Sequence, residues 1–263
     1  RLKLHGDQDR VTEINRAAAE LARRVADHAG RSVVVAGSMG PTGEIMEPVG
    51  PLSMADATQA FHEQAAALAE GGADVLWIET ISSTEEYEAA VKGAAATGLP
   101  VVGTMTFDTN GRTMMGVTPE DAASFASSLS PGVHGYGCNC GVGPATLIDT
   151  VLGLRKTAAD TDIIVAKGNC GIPEYVDGEI AYSGSPEIMA TYAKLARRAG
   201  ARIIGGCCGT TAIHLKAIKE ALDGYDPEPA PTREEIEALL GPVDQPKPQP
   251  EGGEGRRRNR RRG

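Results

Sequence analysis

The feature that most restricts the fold of this chain is a regular alternation of short apolar stretches with longer amphipathic ones. Six stretches are predicted as buried strands, and they cover residues 32–37, 73–80, 99–107, 133–137, 162–167 and 202–206, of which 133–137 is short and rich in glycine. Helical spacing precedes the first stretch and follows each of the six, over residues 8–29, 54–70, 84–97, 144–158 and 185–198 and from residues 118 and 210. This alternation predicts an α/β fold with parallel strands, in either a doubly wound sheet or a (β/α)8 barrel.

The loop after the first predicted strand argues against a dinucleotide-binding sheet. It has the sequence GSMGP at residues 37–41, which lacks the third glycine of the dinucleotide fingerprint and contains a proline. Six strand–helix units are, however, two fewer than a closed (β/α)8 barrel contains.

Residues suited to metal binding or acid–base chemistry collect at the carboxyl ends of the predicted strands. These ends carry Glu79 and Thr80, Thr106 and Asp108, Asn139 and Cys140, Lys167, Asn169 and Cys170, and Cys207 and Cys208. Active sites of (β/α)8 barrels lie at this edge of the sheet. The sequence therefore predicts one site assembled from several strand ends.

All five cysteines lie between residues 138 and 208. An odd, clustered set in a chain without a secretory signal indicates metal or redox chemistry in a reducing compartment rather than disulfides. Zinc is the natural metal for thiolates, and a catalytic site with three protein ligands keeps one position for a substrate. A thiol with a free pKa of about 8.5 loses its proton on binding zinc and becomes a nucleophile at neutral pH.

Spacing alone leaves the choice among the cysteines open. Cys138 and Cys140 are two residues apart, and Cys170 is either a further thiolate or a small buried residue. Adjacent side chains on a strand point to opposite faces. Cys207 and Cys208 can therefore reach one metal only if the backbone bends there, which their flanking glycines permit.

Several motifs resemble one known family. The sequences GCNC at 137–140 and GGCCGT at 205–210 are similar to the zinc signature of the homocysteine S-methyltransferases. Further similarity lies in GSMGPTG at 37–43, WIET at 77–80 and KGNCGIP at 167–173. The stretches TMTFD at 104–108 and GRTMMG at 111–116 most resemble bacterial betaine–homocysteine S-methyltransferases. The resemblance covers about residues 1–223.

The resemblance implies a metal site. It identifies Cys140, Cys207 and Cys208 as the ligands of a catalytic Zn2+ ion, while Cys138 and Cys170 stand where the family usually has small residues. It implies no catalytic residue beyond the substrate thiolate that zinc activates.

The resemblance also implies substrate contacts. Glu79 matches the glutamate that holds the amino group of homocysteine, Asn169 lies near the amino-acid moiety, and Asn139 is a further expected contact. From its own sequence context, Glu79 is equally a substrate contact or a partner in a helix cap or a salt bridge.

The family pattern further implies a shortened barrel. In the family, a strand with an Asp-Gly-type motif and a strand ending in a Thr-Phe-Gly-type motif precede the position of Val33, and neither has a counterpart here. The expected fold is a (β/α)8 TIM barrel truncated at its N-terminus, with about six strand–helix units in residues 1–225. Residues 226–263 are rich in Pro, Gly and Arg and are expected to be mostly disordered, with one short helical pattern at 232–240.

The function implied by the resemblance is transfer of a methyl group from betaine, or a similar small donor, to the thiol of homocysteine, which forms methionine. Aromatic rings stabilise a quaternary ammonium, and the candidates are Trp77, Phe107, Tyr136 and Tyr175, each of which more commonly has a core role. Alternative donors are methyltetrahydrofolate, methylcobalamin and S-methylmethionine.

A function of a different class is a non-catalytic structural-zinc module. Structural zinc is saturated by four protein ligands, so Cys138 or Cys170 would then join the other three cysteines.

The charge of the chain restricts its partners. The formal net charge is −9, and six arginines lie within residues 256–262, so the remainder is more acidic still and argues against a nucleic-acid-binding face. No apolar run approaches the roughly 20 residues that cross a membrane. We therefore expect a cytoplasmic enzyme whose partners are homocysteine and a methyl donor, with no membrane partner and no nucleic acid bound by the fold. A homo-oligomer is compatible with the sequence.

Overall fold

The computed structural model describes residues 2–176 and 178–243, and its centre is a six-stranded parallel sheet. Its strands are β1 (Ala36–Met39), β2 (Val75–Ile81), β3 (Val101–Met105), β4 (Gly135–Cys140), β5 (Ile164–Gly168) and β8 (Ala201–Gly206). They lie side by side in chain order. This arrangement confirms the predicted α/β class and the six strand–helix units, in the neighbour order that a (β/α)8 barrel has.

Helices follow the strands as the alternation predicted. They are α1 (Val11–Asp27), α2 (Met54–Glu70), α3 (Thr84–Ala95), α4 (Pro119–Ser128), α5 (Pro144–Arg155), α6 (Pro186–Arg198), α7 (Ala212–Leu222) and α8 (Arg233–Leu240). Two short 3-10 turns, Leu2–His5 and Gln8–Arg10, precede α1, and the second takes the place of the first turn predicted for the helix at 8–29.

Side-chain caps fix where most of these helices begin. Five hydroxyl groups accept a hydrogen bond from the backbone N–H three residues further on, and they belong to Ser53, Ser83, Thr118, Ser185 and Thr232. A proline follows the cap in α4 and α6, where its missing N–H is not needed. The helix starts are therefore local properties of the sequence.

The first strand lies later in the chain than residues 32–37, where it was predicted. Its neighbour β2 begins at Val75, which is in register with Ala36. The backbone N–H of Val35 donates to the carboxylate of Asp74 at 2.7 Å, and Val34 is exposed. The residues before Ala36 are thus apolar enough for a strand, but β2 begins too late to pair with them.

An antiparallel hairpin after β5 was not predicted. It consists of β6 (Pro173–Val176) and β7 (Glu179–Tyr182), and Tyr175 and Ile180 within it are largely exposed. The dipeptide Asp-Gly at 177–178 is a hairpin signal, but strands this short and this exposed lack the buried alternation that the other strands show.

The sheet has two chemically different faces. Leu76 and Ile78 are fully buried in the core, whereas Trp77 and Glu79, which alternate with them along β2, are half-buried on the opposite face. We call the face that carries Trp77 and Glu79 the inner face. Side chains in register on neighbouring strands share a face, and this places Ser38 there as well.

A buried tyrosine joins the last two strands of the sheet. The hydroxyl of Tyr192 on α6 accepts a hydrogen bond from the N–H of Gly168 at 3.0 Å and donates to the carbonyl of Gly205 at 3.3 Å. Tyr192 is fully buried, so no water can replace its hydroxyl when it is removed.

We expect Tyr192→Phe to lower the free energy of unfolding by about 1–3 kcal/mol, because it leaves buried backbone groups unpaired. Urea denaturation measures this. Tyr87→Phe is the matched control, since the Tyr87 hydroxyl is buried without a hydrogen-bond partner among the described residues. Equal losses in the two variants would contradict the assignment of a structural role to the Tyr192 hydroxyl.

The segment after residue 225 includes α8, which matches the predicted pattern at 232–240. Ile236 of α8 is fully buried, and the guanidinium of Arg198 on α6 pairs with both carboxylate oxygens of Glu235. The predicted disorder and the arginine run fall mainly on residues 244–263, which lie outside the described residues. The boundary between a barrel domain at residues 1–225 and a tail at residues 226–263 stays a prediction. Within the described ranges, no helix has the length and apolarity that crossing a membrane requires.

Candidate active site

Three cysteine sulfurs meet at the carboxyl end of the sheet. Cys140 is the last residue of β4, and Cys207 and Cys208 follow β8 directly. The Sγ atom of Cys140 lies 3.5 Å from that of Cys207 and 3.6 Å from that of Cys208, and all three sulfurs are within 4.8 Å of one another. The predicted ligand set is therefore assembled in space, which the linear spacing could not establish.

The backbone bends after β8 as the adjacent cysteines require. The N–H of Cys207 still continues the sheet, donating to the carbonyl of Gly168, whereas the N–H of Cys208 donates to the side-chain oxygen of Asn169 at 3.1 Å. Gly209 then has a φ of +74°, and a side chain there would collide with the ring of Tyr182. A turn closed between Cys207 and Thr210 thus brings both sulfurs to one side.

On the opposite side of the cluster, Cys140 itself has an unusual backbone conformation. Its φ is +62°, in the left-handed region that residues with a Cβ seldom adopt, and Gly141 follows at +77°. The side-chain amide of Asn169 donates to the carbonyl of Gly141 at 2.8 Å. Asn169 therefore ties the loop after Cys140 to the loop that contains Cys208.

The pKa values of Cys207 and Cys140 are shifted in opposite directions. The hydrogen bond with Cys140 lowers the pKa of Cys207 to about 5 against the effect of burial, and the amide of Asn139 and the charge of Lys167 lower it further. The same hydrogen bond, together with burial, raises the pKa of Cys140 above its ordinary range. The cluster therefore favours a thiolate at Cys207 at neutral pH.

The remaining two cysteines lie apart from this cluster. Cys138 is buried and its thiol is directed to the carbonyl of Val165 at 3.8 Å, while the buried thiol of Cys170 donates to the carbonyl of Gly184 at 3.0 Å. Burial raises the pKa of both thiols. Among the described residues, the group of three or more potential metal ligands comprises Cys140, Cys207 and Cys208 alone.

A buried asparagine links the cluster of three cysteine sulfurs to β2. Asn139 is 1% exposed, and its side-chain oxygen accepts hydrogen bonds from the N–H of Thr80 at 2.8 Å and from the hydroxyl of Thr104 at 2.7 Å. Its amide group donates to the hydroxyl of Thr80 at 2.8 Å and faces the sulfur of Cys207 at 3.8 Å. All hydrogen-bonding capacity of this side chain is thus directed to the protein.

Thr80 owes its conformation to these contacts. Its φ is +65°, which is a true outlier for a β-branched residue and costs on the order of 1–3 kcal/mol. The two hydrogen bonds with Asn139 hold Thr80 in place, and Glu79 precedes it directly. The strain is therefore located at the end of β2, at the residue that follows Glu79.

Glu79 is engaged in a polar network on the inner face. One carboxylate oxygen accepts from the hydroxyl of Ser38 at 2.6 Å, and the other accepts from the ammonium of Lys167 at 2.5 Å. The same ammonium lies 5.2 Å from the centre of the Trp77 ring, within the range of a cation–π contact. The network joins β1, β2 and β5 across the face that leads to the cysteines.

The aromatic candidates do not form one group. Phe107 and Tyr136 are buried, and the Tyr136 hydroxyl donates to Asp162 at 2.6 Å, whereas Tyr175 is largely exposed. Trp77 contacts Lys167, and Tyr182 of the unpredicted hairpin lies against Gly209. Burial, with a smaller effect of the neighbouring Cys208, raises the pKa of Tyr182.

From the sequence, Lys167 was expected only as one of the residues at the strand ends, and Ser38, Thr104 and Tyr182 had no predicted individual role. The strand register could have indicated three of them. Lys167 is in register with the predicted site residue Asn139, and Ser38 is in register with Trp77. Thr104 is in register with Gly137, two residues before Asn139. Tyr182 depends on the hairpin, so the order of strands and helices could not place it.

Comparisons with known proteins agree with the geometry. The model of the family described as homocysteine S-methyltransferase matches residues 1–222. The methionine synthases of Mycobacterium tuberculosis and Mycobacterium leprae are each 30% identical over 224 residues, which are 81% of this chain and 18% of each relative. The chain thus spans less than a fifth of the length of these relatives.

Solved structures show the same architecture. The apo form of the homocysteine methyltransferase MmuM from Escherichia coli is 26% identical with a TM-score of 0.64, covering 82% of this chain and 76% of that chain. Its metallated form is 25% identical with a TM-score of 0.63, covering 80% and 70%. A similar protein thus exists with and without metal.

Proposed function

The chain belongs to the homocysteine S-methyltransferase family, and on that basis we propose that it transfers a methyl group from betaine, or a similar small onium donor, to the thiol of homocysteine. The product is methionine. The observation that carries this proposal is the cluster of three sulfurs at the carboxyl end of the parallel sheet. Such a cluster leaves a tetrahedral metal with one position for a substrate sulfur.

The sulfur cluster fits zinc on its own chemistry. Three thiols within 4.8 Å of one another, one of them favoured as a thiolate, form a donor set that suits this metal. When bound, zinc supplies a Lewis acid that lowers the pKa of a substrate thiol. The positions of Cys138 and Cys170 outside the cluster support a three-ligand site over a structural site with four.

The other residues of the site hold and orient the substrate. We assign the substrate ammonium to Glu79, whose carboxylate lies on the inner face in contact with Ser38 and Lys167. For Asn139 and Asn169 the substrate contact stays a prediction, and their hydrogen bonds support a role in positioning Thr80 and the cysteine loops. Fixing the two reactants in line contributes to the rate without a covalent intermediate.

The proposed donor rests on the aromatic and cationic features near the site. Trp77 already accepts one cation, that of Lys167, on its ring, and a methylated onium group makes the same kind of contact. Methyltetrahydrofolate, methylcobalamin and S-methylmethionine are the alternative donors. Screening these donors with the zinc-loaded chain distinguishes them by methionine formation.

Zinc K-edge absorption with and without homocysteine tests the proposed function. We expect three sulfur neighbours in the chain alone and four after homocysteine is added, and we expect the same counts in a Cys138→Ala/Cys170→Ala double variant. Four sulfurs from the start, with loss of zinc from the double variant, would instead establish a structural site. The counts report binding, so they do not depend on turnover.

A further inference from the structure

The ion pair between Glu79 and Lys167 has a feature that the proposed function leaves unexplained. The two side chains come from β2 and β5, which are separated in the sheet by β3 and β4. They nevertheless meet at 2.5 Å, and their side chains are only 20% and 23% exposed. Two opposite charges are therefore held together, largely shielded from water, beside the place where the substrate would bind.

Stability alone is a poor reason for such a pair. Removing two charges from water costs free energy that their mutual attraction roughly offsets, so replacing a shielded ion pair by apolar residues is often neutral or stabilising. The exposed pairs on the surface of this protein, such as Lys219 with Asp223, do not bear this cost to the same extent. The position of the Glu79–Lys167 pair therefore points to a ligand.

The position of the pair relative to the sulfurs narrows the class of ligand. Lys167 is in register with Asn139 on one side and with Gly205 on the other, so it lies between the strands that end in Cys140 and lead to Cys207. A ligand that places a sulfur at the cysteines thus has its other end beside both charges. A free amino acid carries an ammonium and a carboxylate on the same carbon, which is the complement of this pair.

We propose that Lys167 binds the α-carboxylate of the amino-acid thiol while Glu79 binds its α-ammonium, a proposal that rests on the proposed function. The substrate zwitterion inserts into the ion pair, and each of the four charges then has an opposite partner. No charge is left unpaired in the shielded site, so the exchange avoids the large cost of breaking an ion pair. The long, flexible Lys167 side chain permits the movement, and Trp77 supports its ammonium.

This arrangement makes Lys167 a determinant of specificity. When a thiol without the carboxylate binds, Glu79 pairs with its ammonium. The Lys167 ammonium then faces a neutral group and has no opposite charge. We therefore expect the site to select free amino acids and to discriminate against amides, esters and peptide-linked homocysteine. This preference for the free amino acid depends on Lys167, so replacing Lys167 should abolish it.

Isothermal titration calorimetry on the zinc-loaded full chain tests this, with L-homocysteine and L-homocysteine amide as ligands. We expect the wild-type chain to bind the free acid about 10- to 100-fold more tightly, as for loss of a charge-assisted hydrogen bond. In Lys167→Met, which removes the ammonium and keeps an unbranched side chain one atom shorter, the two ligands should bind equally. Lys167→Arg keeps the charge and should keep part of the preference.

Lys194→Met is the matched control, because the Lys194 ammonium also lies over an aromatic ring, that of Tyr225, at 5.6 Å. This variant should keep the full preference for the free acid. Equal binding of both ligands by the wild-type chain, or an unchanged preference in Lys167→Met, would overturn the assignment and leave the proposed function standing. Binding of neither ligand would overturn both.

Discussion

Replacing Cys140 by Ala is expected to weaken zinc binding by more than about 100-fold. The sulfur of Cys140 lies within 3.6 Å of both other sulfurs, so it occupies the centre of the cluster. If three thiolates share a binding free energy on the order of 10 kcal/mol, the loss of one removes about 3 kcal/mol. Competition with a chromophoric chelator measures the affinity, and homocysteine binding should be lost with it.

Cys138→Ala is the matched control for this variant. Both changes remove one sulfur from β4, two residues apart, but Cys138 is buried among core residues and its thiol faces the carbonyl of Val165. We expect Cys138→Ala to bind zinc like the wild-type chain and to unfold at a slightly lower urea concentration. Equal zinc affinities for the two variants would remove Cys140 from the proposed ligand set.

This pair of variants also marks the limit of what the sequence could predict about the ligands. The motif GCNC contains two thiols, and their spacing leaves both in contention. Regular alternation would put Cys138 and Cys140 on the same face of β4, and the fold separates them because β4 turns at Cys140 into a left-handed conformation with a φ of +62°. That turn depends on contacts with Asn169, which is on a different strand–loop unit, and so it has no local signature.

The fold itself was more accessible to prediction than the site. Strand and helix periodicity, together with Ser and Thr caps, are local, and they placed helices such as α2 at the observed residues. Strand pairing is not local. For this reason β1 begins at Ala36, which pairs with the first residue of β2, and not at residue 32 as predicted. The hairpin that carries Tyr182 escaped prediction because its strands are exposed.

Polar contacts between strands were the least predictable part of the site. Glu79 was recognised, but its partners Ser38 and Lys167 become visible only when the register of β1, β2 and β5 is known. Asn139 was expected to contact the substrate, whereas its observed hydrogen bonds go to Thr80 and Thr104. A short polar side chain at a strand end is equally suited to either role until its neighbours are placed.

Asn139→Asp is expected to have the second large effect, on stability and on zinc binding together. The change is nearly isosteric, but it replaces an amide that donates to Thr80 and faces Cys207 by a carboxylate that donates to neither. At 1% exposure the new charge is buried beside a thiolate. A buried unpaired charge lowers the free energy of unfolding by about 3–5 kcal/mol, which urea denaturation measures.

Zinc affinity should fall in the same variant by about 10- to 100-fold, as for the loss of other groups that orient metal ligands. Asn15→Asp is the matched control, because Asn15 on α1 also donates to one partner and accepts from another but lies away from the cysteines. It should leave zinc affinity unchanged. If Asn139→Asp bound zinc as the wild-type chain does, the hydrogen bonds of Asn139 would serve Thr80 and the fold alone, and the coupling between β2 and the sulfur cluster would be absent.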